Sequence, residues 1–446
     1  MSCCIGGVRF RLYSKPPYVH PDWPPETICV SDPPGAIGPG PSNDRIYLVN
    51  PIGKRFSYGL NPGPLGTPHF NTPPWKGPVL EPVRPSAEGH FDHIPEGTPE
   101  FAEAHVFGTV RFVLDIWERY FGRRIEWHFR DDHRRLEIVM MPDLNNAYAG
   151  YGFMEVGAHR FPNGTHAPYA LNFDVMAHEL GHLIIYSTVG IPTPATDQGE
   201  YHGFQESAAD MTALVSVLHF ESLTDHLLQQ THGNLFTYNE LDRFAELSPG
   251  EQIRLASNAV KLSEFSAGWV DEHALSQPLT GAIFDIVVDI FQEILVERGL
   301  IARDVAEASR GVRDGPEIAE AVQPVFDAIF SERYEGFRAA LMEARDYVGF
   351  ALAETWKRLQ ADYFTYVDVA EAMIETEARM SGGRYRRAMV ESFDWREIGR
   401  VSVGPRLAPP DERSHSHSAR TLVPGMRDAL PRMCYREQAM MAGILG

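Results

Sequence analysis

Eighteen of the 34 prolines in this 446-residue chain fall within the first 85 residues. Proline fixes the backbone φ angle and lacks an N–H donor, so such a stretch disfavours regular secondary structure. We predict that residues 1–85 form an extended, loop-rich arm along the surface, with short strands such as Arg45–Val49. A pro-segment or lid over a cleft is the alternative interpretation of the same composition.

The rest of the chain changes from strand-like to helical patterns along its length. Apolar residues at three- and four-residue spacing predict a helix over residues 100–121, and β-branched runs predict strands at Arg124–Phe129 and Arg135–Met141. Strands followed by helices indicate an α+β fold. Later helices are predicted over residues 174–189, 204–223, 278–298, 316–330, 332–358, 365–380 and 383–392.

These patterns divide the chain after the arm into three parts. We predict a sheet-containing lobe over residues 86–200, a mainly helical lobe over residues 201–400, and a tail over residues 401–446. The tail loses periodicity and carries His415 and His417, which a solvated Ser/His run explains better than a metal site.

The charge balance excludes several classes of partner. Asp and Glu number 60 against 40 Lys and Arg, a formal net charge of −20. Nucleic acids and anionic membranes are bound through basic side chains, so neither is expected as a partner. Four sparse cysteines and the lack of a signal-like N-terminus favour the cytoplasm. The sequence does not indicate an oligomeric state.

One segment has the spacing of a metal-binding helix. His178-Glu179-Leu180-Gly181-His182 has the pattern H-E-x-x-H. Residues i and i+4 share a helical face, so both imidazoles can bind one ion while Glu179 lies beside it. Roughly one chain in twenty of this composition would contain the pattern by chance, so it needs support from elsewhere.

A second helical segment supplies that support. A catalytic zinc takes a third protein ligand and keeps an open position. Glu206, which follows His182 by 24 residues, completes a His₂Glu set. Asp210 lies one helical turn later, where its carboxylate can hold the second ring nitrogen of His178.

The chain at this point resembles the thermolysin-like zinc metallopeptidases, within the wider gluzincin group. The resemblance covers roughly residues 85–400. It includes an N-N-A-[FY] segment at residues 145–148, D-x-x-x-H-E-x-x-H from Asp174, E-x-x-x-D from Glu206, and His273. The resemblance implies two lobes, a mixed sheet followed by helices, with the active-site helix between them.

The family's chemistry implies a zinc-dependent endopeptidase acting on extended peptides. Zinc held by His178, His182 and Glu206 would polarise a peptide carbonyl and lower the pKa of its water. Glu179 would act as general base, and His273 would donate a hydrogen bond to the developing oxyanion.

Further roles carried over by the resemblance concern the substrate. Asn146 and Ala147 would present an edge strand to an extended peptide. Arg243 lies near the place of the family's arginine for a substrate carbonyl. The family's assisting tyrosine falls on Thr193 at the direct offset, so Tyr201 is the candidate, with Tyr186 less suitable.

The sequence also departs from the family, and other functions stay open. Val217 stands where a calcium-binding acid would follow the glutamate helix, so despite Asp174 no calcium pair is expected. An exopeptidase would need a carboxylate cluster for the substrate amine, and no G-x-M-E-N-like segment is present. A latent or non-catalytic relative, with the arm over the cleft or with Cys29 or the pair Cys3 and Cys4 on the zinc, is the third interpretation.

Overall fold

A computed structural model of the chain describes residues 6–62, 68–237, 239–248, 251–310 and 317–407. The fold is α+β, as predicted, with a sheet-containing lobe followed by a mainly helical lobe. The strands are β1 Val8–Leu12, β2 Glu26–Val30, β3 Ile46–Val49, β4 Gly59–Pro62, β5 Pro68–Asn71, β6 Leu136–Met140, β7 Ala147–Gly150, β8 Phe153–Val156, β9 Ala158–Arg160, β10 His166–Pro168, β11 Arg243–Ser248 and β12 Glu251–Leu255. The helices are α1 Pro99–Phe121, α2 Phe173–Thr188, α3 Gly199–Val217, α4 Glu221–Thr231, α5 Glu272–Glu297, α6 Arg303–Arg310, α7 Glu317–Trp356, α8 Tyr366–Ser381 and α9 Arg386–Trp395.

The largest sheet has the strand order β3-β6-β8-β7. Strands β3 and β8 run parallel to β6, and β7 runs antiparallel to β8 at one edge. The strand predicted at Arg45–Val49 is confirmed as β3, and the one at Arg135–Met141 as β6. Within the described residues, strand β7 pairs with β8 alone, and its other side pairs with no strand.

Two features of the sequence fix where the long helices begin. The Thr98 side chain accepts from the backbone of Phe101 at the start of α1, and Asn172 accepts from Val175 at the start of α2. Such caps satisfy backbone donors that the helix cannot pair. The two helices predicted on either side of residue 331 are continuous except for non-helical backbone angles at Arg333. No helix in the described ranges is long and apolar enough to cross a membrane.

The strand predicted at Arg124–Phe129 is wrong. Among the described residues this segment pairs with no strand, and side chains bond the backbone groups of Ile125. Glu118 accepts from the Ile125 N–H (2.8 Å), and the Arg45 guanidinium donates to the Ile125 carbonyl and lies 5.0 Å from the Trp127 ring centre. The β-like alternation here reflects inward packing of Ile125, Trp127 and Phe129, which are all buried.

The first 85 residues contain more than a surface arm. Strand β1 pairs with β2, and Val8, Phe10 and Leu12 are completely buried. Gly108 of α1 allows this contact, because a Cβ there would lie 2.8 Å from the Phe10 ring. The prediction of a surface-hugging arm is therefore wrong for this strand, which belongs to the hydrophobic core.

A buried histidine of α1 contacts the residue that follows this strand. Its burial predicts that the protein loses stability in acid. His105 is completely buried, its Nε2 accepts from the Tyr13 N–H (3.0 Å), and burial lowers its pKa to about 4. In the unfolded chain the imidazole takes up a proton near pH 6.5, whereas in the folded chain it does so only near pH 4. The contribution of His105 to the free energy of unfolding is therefore fully present above pH 6.5 and is lost as the pH falls towards 4.

We expect wild type to lose about 2 kcal/mol of unfolding free energy relative to His105→Gln between pH 7 and pH 4.5. Glutamine keeps an acceptor for Tyr13 but cannot be protonated in this range. Urea unfolding of both metal-free proteins at the two pH values measures the difference. Parallel losses in the two proteins would show that His105 titrates normally.

Candidate metal centre and cleft

Two packed helices bring the predicted metal ligands together. His178, Glu179 and His182 lie on α2, and Glu206 lies on α3. Gly181 permits the close approach, because a Cβ at this position would lie 2.7 Å from the Cα of Ala209. The glycine therefore sets the distance between the helices beside the candidate site.

Replacing Gly181 with alanine tests this contact. An unhindered helical glycine gains up to about 1 kcal/mol on substitution by alanine. Here the added methyl group must push backbone atoms apart, so we expect a loss of about 1–3 kcal/mol in unfolding free energy. Urea unfolding of Gly181→Ala measures the effect, and stabilisation would contradict the close approach.

The three predicted ligands converge on one point. Ligand atoms of His178, His182 and Glu206 all lie within 4.8 Å of one another. His178 Nε2 is 3.3 Å from Glu206 Oε2, and His182 Nε2 is 3.7 Å from Glu206 Oε1. Tetrahedral zinc with bonds of about 2.0–2.1 Å separates its ligand atoms by about 3.3–3.4 Å. This donor set and spacing fit a zinc ion without large rearrangement.

The second ring nitrogen of each histidine has its own partner. His178 Nδ1 lies 2.9 Å from Asp210 Oδ1, and His182 Nδ1 lies 3.2 Å from Gln205 Oε1. These contacts fix both tautomers, so that each Nε2 is free of its proton when it faces a metal. The sequence predicts the contact of Asp210 but not that of Gln205, whose signal is an amide side chain next to the candidate ligand Glu206.

Asp210→Asn should weaken zinc binding 10- to 100-fold, as loss of such supporting carboxylates does elsewhere. The substitution keeps an acceptor for His178 but removes the charge that makes the imidazole a stronger donor. Competition with a chromophoric chelator measures the affinity. Asp394→Asn, at an exposed position on α9, is the control, and equal affinities of the two variants would contradict the role of Asp210.

The metal-free site already holds compensating charge. Burial alone would lower the pKa of His178, but its hydrogen bonds to Asp210 and Glu206 raise the pKa to about 10. Burial alone would raise the pKa of Glu206, but His182, His178 and His273 hold it well below its usual range. A negative carboxylate faced by imidazoles is the electrostatic environment that suits a bound cation.

Glu179 lies between the ligands and the edge of the sheet. Its Oε2 accepts from the Ala149 N–H of β7 (2.9 Å), and the residue is buried. Alternate residues of an antiparallel strand direct their N–H and C=O groups to the same side. Ala147 therefore presents its backbone groups to the side of β7 that faces Glu179.

His273 approaches the same point from α5. Its Nε2 is 3.3 Å from Glu206 Oε2, and its Nδ1 is 2.8 Å from Asp271 Oδ1. Asp271 also caps the helix by accepting from the His273 N–H (3.1 Å). The aspartate, which sequence reasoning missed, thus sets both the start of the helix and the orientation of the imidazole.

These groups line a cleft of about 640 Å³. Its walls combine the metal-site residues with the edge strand, the β11–β12 hairpin and several aromatic rings. Beyond the three ligands, Glu179 and His273, the lining residues are Asn146, Ala147, Tyr148, Ala149, His159, Tyr169, Val175, Tyr186, Ala245, Leu247, Gln252 and Ile253. None of the described residues in the range 6–85 is among them, so these residues do not cover the cleft.

Three predicted residues lie away from the lining of the cleft. Tyr201 is buried and its hydroxyl donates to the Gly190 carbonyl. Arg243 bonds within its own hairpin, with Nε donating to Gln252 Oε1 (3.0 Å). Asp174 lies in the first turn of α2 and accepts from the Ala245 N–H (3.2 Å), not from a metal ligand.

The structure describes only some of the residues in the predictions about cysteine ligands and the C-terminal tail. Cys29 is disulfide-bonded, so its sulfur is not a thiolate that could bind zinc in a latent form. Cys3, Cys4, His415 and His417 lie outside the described residues. The described part of the tail, up to Leu407, packs beside Trp269. The backbone N–H of Trp269 donates to the Pro405 carbonyl (3.1 Å).

The chain has only distant similarity to known proteins. No protein-family profile matches it, and no curated protein matches it. Among solved structures it is similar to the precursor of protealysin, a metalloproteinase from Serratia proteamaculans, with a TM-score of 0.38 and 14% identity. The match covers 73% of this chain and 83% of that one. This likeness does not assign the chain to a family, and the function proposed below rests on the geometry of the site.

Proposed function

We propose that this protein is a zinc-dependent metalloendopeptidase that hydrolyses peptide bonds with Glu179 as general base. The observation that carries the proposal is the convergence of His178, His182 and Glu206 within 4.8 Å, with Glu179 beside them on the same helix. A carboxylate that belongs to no ligand set but faces the same cleft fits base catalysis. Zinc, when bound, would polarise a carbonyl and lower the pKa of water.

Glu179 has the position that proton transfer requires. Its Oε2 lies 2.9 Å from the Ala149 nitrogen, at the boundary between the ligands and the edge strand. A substrate peptide bond held along that strand would place its carbonyl carbon and its amide nitrogen on either side of the carboxylate. Glu179 would accept a proton from the attacking water and donate it to the leaving amine.

His273 supplies a fixed hydrogen-bond donor on the opposite wall. Asp271 Oδ1 accepts from Nδ1 (2.8 Å), and in the imidazolium form Nε2, which lies 3.3 Å from Glu206 Oε2, also carries a proton that it can donate. A donor that is oriented in advance stabilises the negative charge that develops on the substrate oxygen. We assign no such role to Tyr201, because its hydroxyl is engaged with Gly190.

The edge strand supports an extended peptide as substrate. Among the strands that the structure describes, β7 pairs with β8 alone, and Ala147 and Ala149 direct their backbone groups towards the cleft. A peptide can add to this side as a further strand through its main chain. Asn146 lines the same wall, and its side chain would offer an amide to the peptide.

The disulfide at Cys29 bears on where the protein acts. Disulfides persist mainly in oxidising compartments and are rare in the cytosol. This observation favours an oxidising compartment over the cytoplasm that the sequence predicted.

Incubation of the zinc-loaded and the chelator-treated chain with a mixture of unstructured peptides tests the proposal. We expect internal cuts, detected by mass spectrometry, only with the loaded chain, and their return when zinc is added back. Trimming from one terminus alone would support the exopeptidase alternative. No cleavage by a chain that holds one zinc would support the non-catalytic alternative.

A further inference from the structure

The N-terminal segment places an ammonium group inside the protein next to the cleft. Lys15 follows β1, and only 1% of its side chain is exposed. Its Nζ lies 3.1 Å from Asp174 Oδ2, 3.1 Å from the Arg243 carbonyl oxygen and 3.9 Å from Glu246 Oε2. The side chains of Asp174 and Glu246 are equally buried. One cation thus meets two carboxylates where water does not screen them.

The two carboxylates lie on α2 and β11, two elements that both contribute residues to the lining of the cleft. Asp174 lies in the first turn of α2, one turn before His178. Glu246 lies on β11, between Ala245 and Leu247, which both line the cleft. Lys15 therefore occupies the junction between the helix that carries the metal ligands and the hairpin that faces it.

Asp174 makes a second connection at this junction. Its Oδ2, the oxygen that faces Lys15, also accepts from the Ala245 N–H (3.2 Å). Without the ammonium, two buried carboxylates of the same charge would face each other across the junction. Loss of one partner from a buried ionic group leaves an uncompensated charge, which the protein relieves by opening or by taking up protons.

The charged form of Lys15 is the form expected at neutral pH. Burial alone lowers the pKa of Lys15, but the Asp174 and Glu246 carboxylates outweigh burial and raise the pKa above its ordinary value. The alternative occupant of this region is a metal ion held by His20, Glu240 and Glu246, whose ligand atoms lie within 4.8 Å of one another. Glu246 already contacts Lys15, His20 (3.1 Å) and Arg243 (3.4 Å), so its charge is balanced without a metal.

We propose that Lys15 is a positioning residue that acts as a built-in counter-cation between the two walls of the cleft. Its ammonium joins the first turn of α2 to β11, so that Ala245 and Leu247 keep their places opposite the metal ligands. Residues 6–15 then support the walls of the cleft from outside its lining, and they are not a removable cover. The significance of this cleft rests on the proposed function, but the contact itself does not.

Lys15→Ala with chemical rescue tests the proposal by hydrogen–deuterium exchange. We expect the β11 amides, that of Ala245 above all, to exchange at least tenfold faster in the variant. Propylammonium replaces the missing three carbons and the nitrogen, and we expect it to restore most of the protection. Sodium chloride at the same ionic strength should not. Unchanged exchange at β11, or equal recovery with sodium chloride, would overturn the proposal.

Lys54→Met is the matched control, because Lys54 belongs to the same N-terminal region and forms another buried pair. Its Nζ lies 2.8 Å from Glu155 Oε1, with side-chain exposures of 2% and 0%. We expect this variant to lose stability while β11 keeps its protection relative to the rest of the chain. Equal loosening of β11 in both variants would reduce Lys15 to a general contributor to stability and would overturn the proposal.

A charge-balanced double variant covers the case in which Lys15→Ala does not fold. Lys15→Met combined with Asp174→Asn removes one charge of each sign and keeps an acceptor for Ala245. We expect the double variant to protect β11 better than Lys15→Met alone, and additive losses would contradict the pairing. Hydrogen exchange needs no substrate, so these results stand whether or not the chain cleaves peptides.

Discussion

Glu179→Gln is expected to lower kcat/KM for peptide cleavage about 10³-fold while the protein still binds one zinc ion. The substitution keeps the size of the side chain and its hydrogen bond from Ala149, because an amide oxygen also accepts. It removes the ability to take a proton, a contribution that amounts to 10²–10⁴ in general base catalysis. Zinc content is measured by atomic emission and cleavage by mass spectrometry on the same samples.

Glu371→Gln, an exposed position on α8, is the control for Glu179→Gln. We expect this control to match wild type in both zinc content and cleavage. Full activity of Glu179→Gln would remove the general base from the account. Loss of zinc from that variant would instead assign Glu179 a structural part in the metal site.

Glu206→Gln is expected to weaken zinc binding about 10²–10³-fold, which exceeds the effect expected for Asp210→Asn. Structural zinc sites with four ligands have apparent binding free energies of about 10–16 kcal/mol, or roughly 2.5–4 kcal/mol per ligand. Glu206 is the only negatively charged member of the ligand set, and its two oxygens approach His178 and His182 at 3.3 and 3.7 Å. Chelator competition measures the affinity.

The matched control for Glu206→Gln is Glu200→Gln on the same helix. Glu200 accepts from the Tyr366 N–H (2.6 Å), and glutamine can keep this bond. We expect zinc affinity to stay at the wild-type level in Glu200→Gln. Equal affinities of Glu206→Gln and wild type would exclude Glu206 as a ligand and favour a site made of other donors.

The candidate metal centre can be predicted from the sequence because its determinants are local. The i, i+4 spacing of His178 and His182 fixes their common helical face. Glu206 and Asp210 follow the same rule on a second helix, which approaches α2 closely at Gly181. His273 was placed by its distance along the chain, and the structure brings it within 3.3 Å of Glu206.

The cleft walls were less predictable because long-range contacts create them. The sequence does not predict the β11–β12 hairpin, because its strands are short. The contact of Ala245 with Asp174 of α2 forms only when the chain is folded. Arg243 was assigned to the substrate by its position in the sequence, yet Gln252 and Glu246 hold it within the hairpin. Tyr201 is likewise expected at the substrate from its position in the sequence, but its hydroxyl donates to the Gly190 carbonyl in a neighbouring loop.

The first 85 residues show where composition alone fails. Their prolines do disfavour helices, and no helix lies in residues 6–62 or 68–85. Proline content does not report burial, however, and the apolar alternation of Val8, Phe10 and Leu12 places β1 in the core. Lys15 carries no sequence signal for burial, because only the distant carboxylates of Asp174 and Glu246 make its position favourable.

Anomalous diffraction at the zinc edge, from crystals of the zinc-loaded chain, tests the central claim most directly. We expect one strong peak bonded to His178 Nε2, His182 Nε2 and the Glu206 carboxylate, with ligand distances of about 2.0–2.2 Å and a position open towards the cleft. A peak at His20, Glu240 and Glu246 instead, or no peak at the α2–α3 contact, would contradict the account.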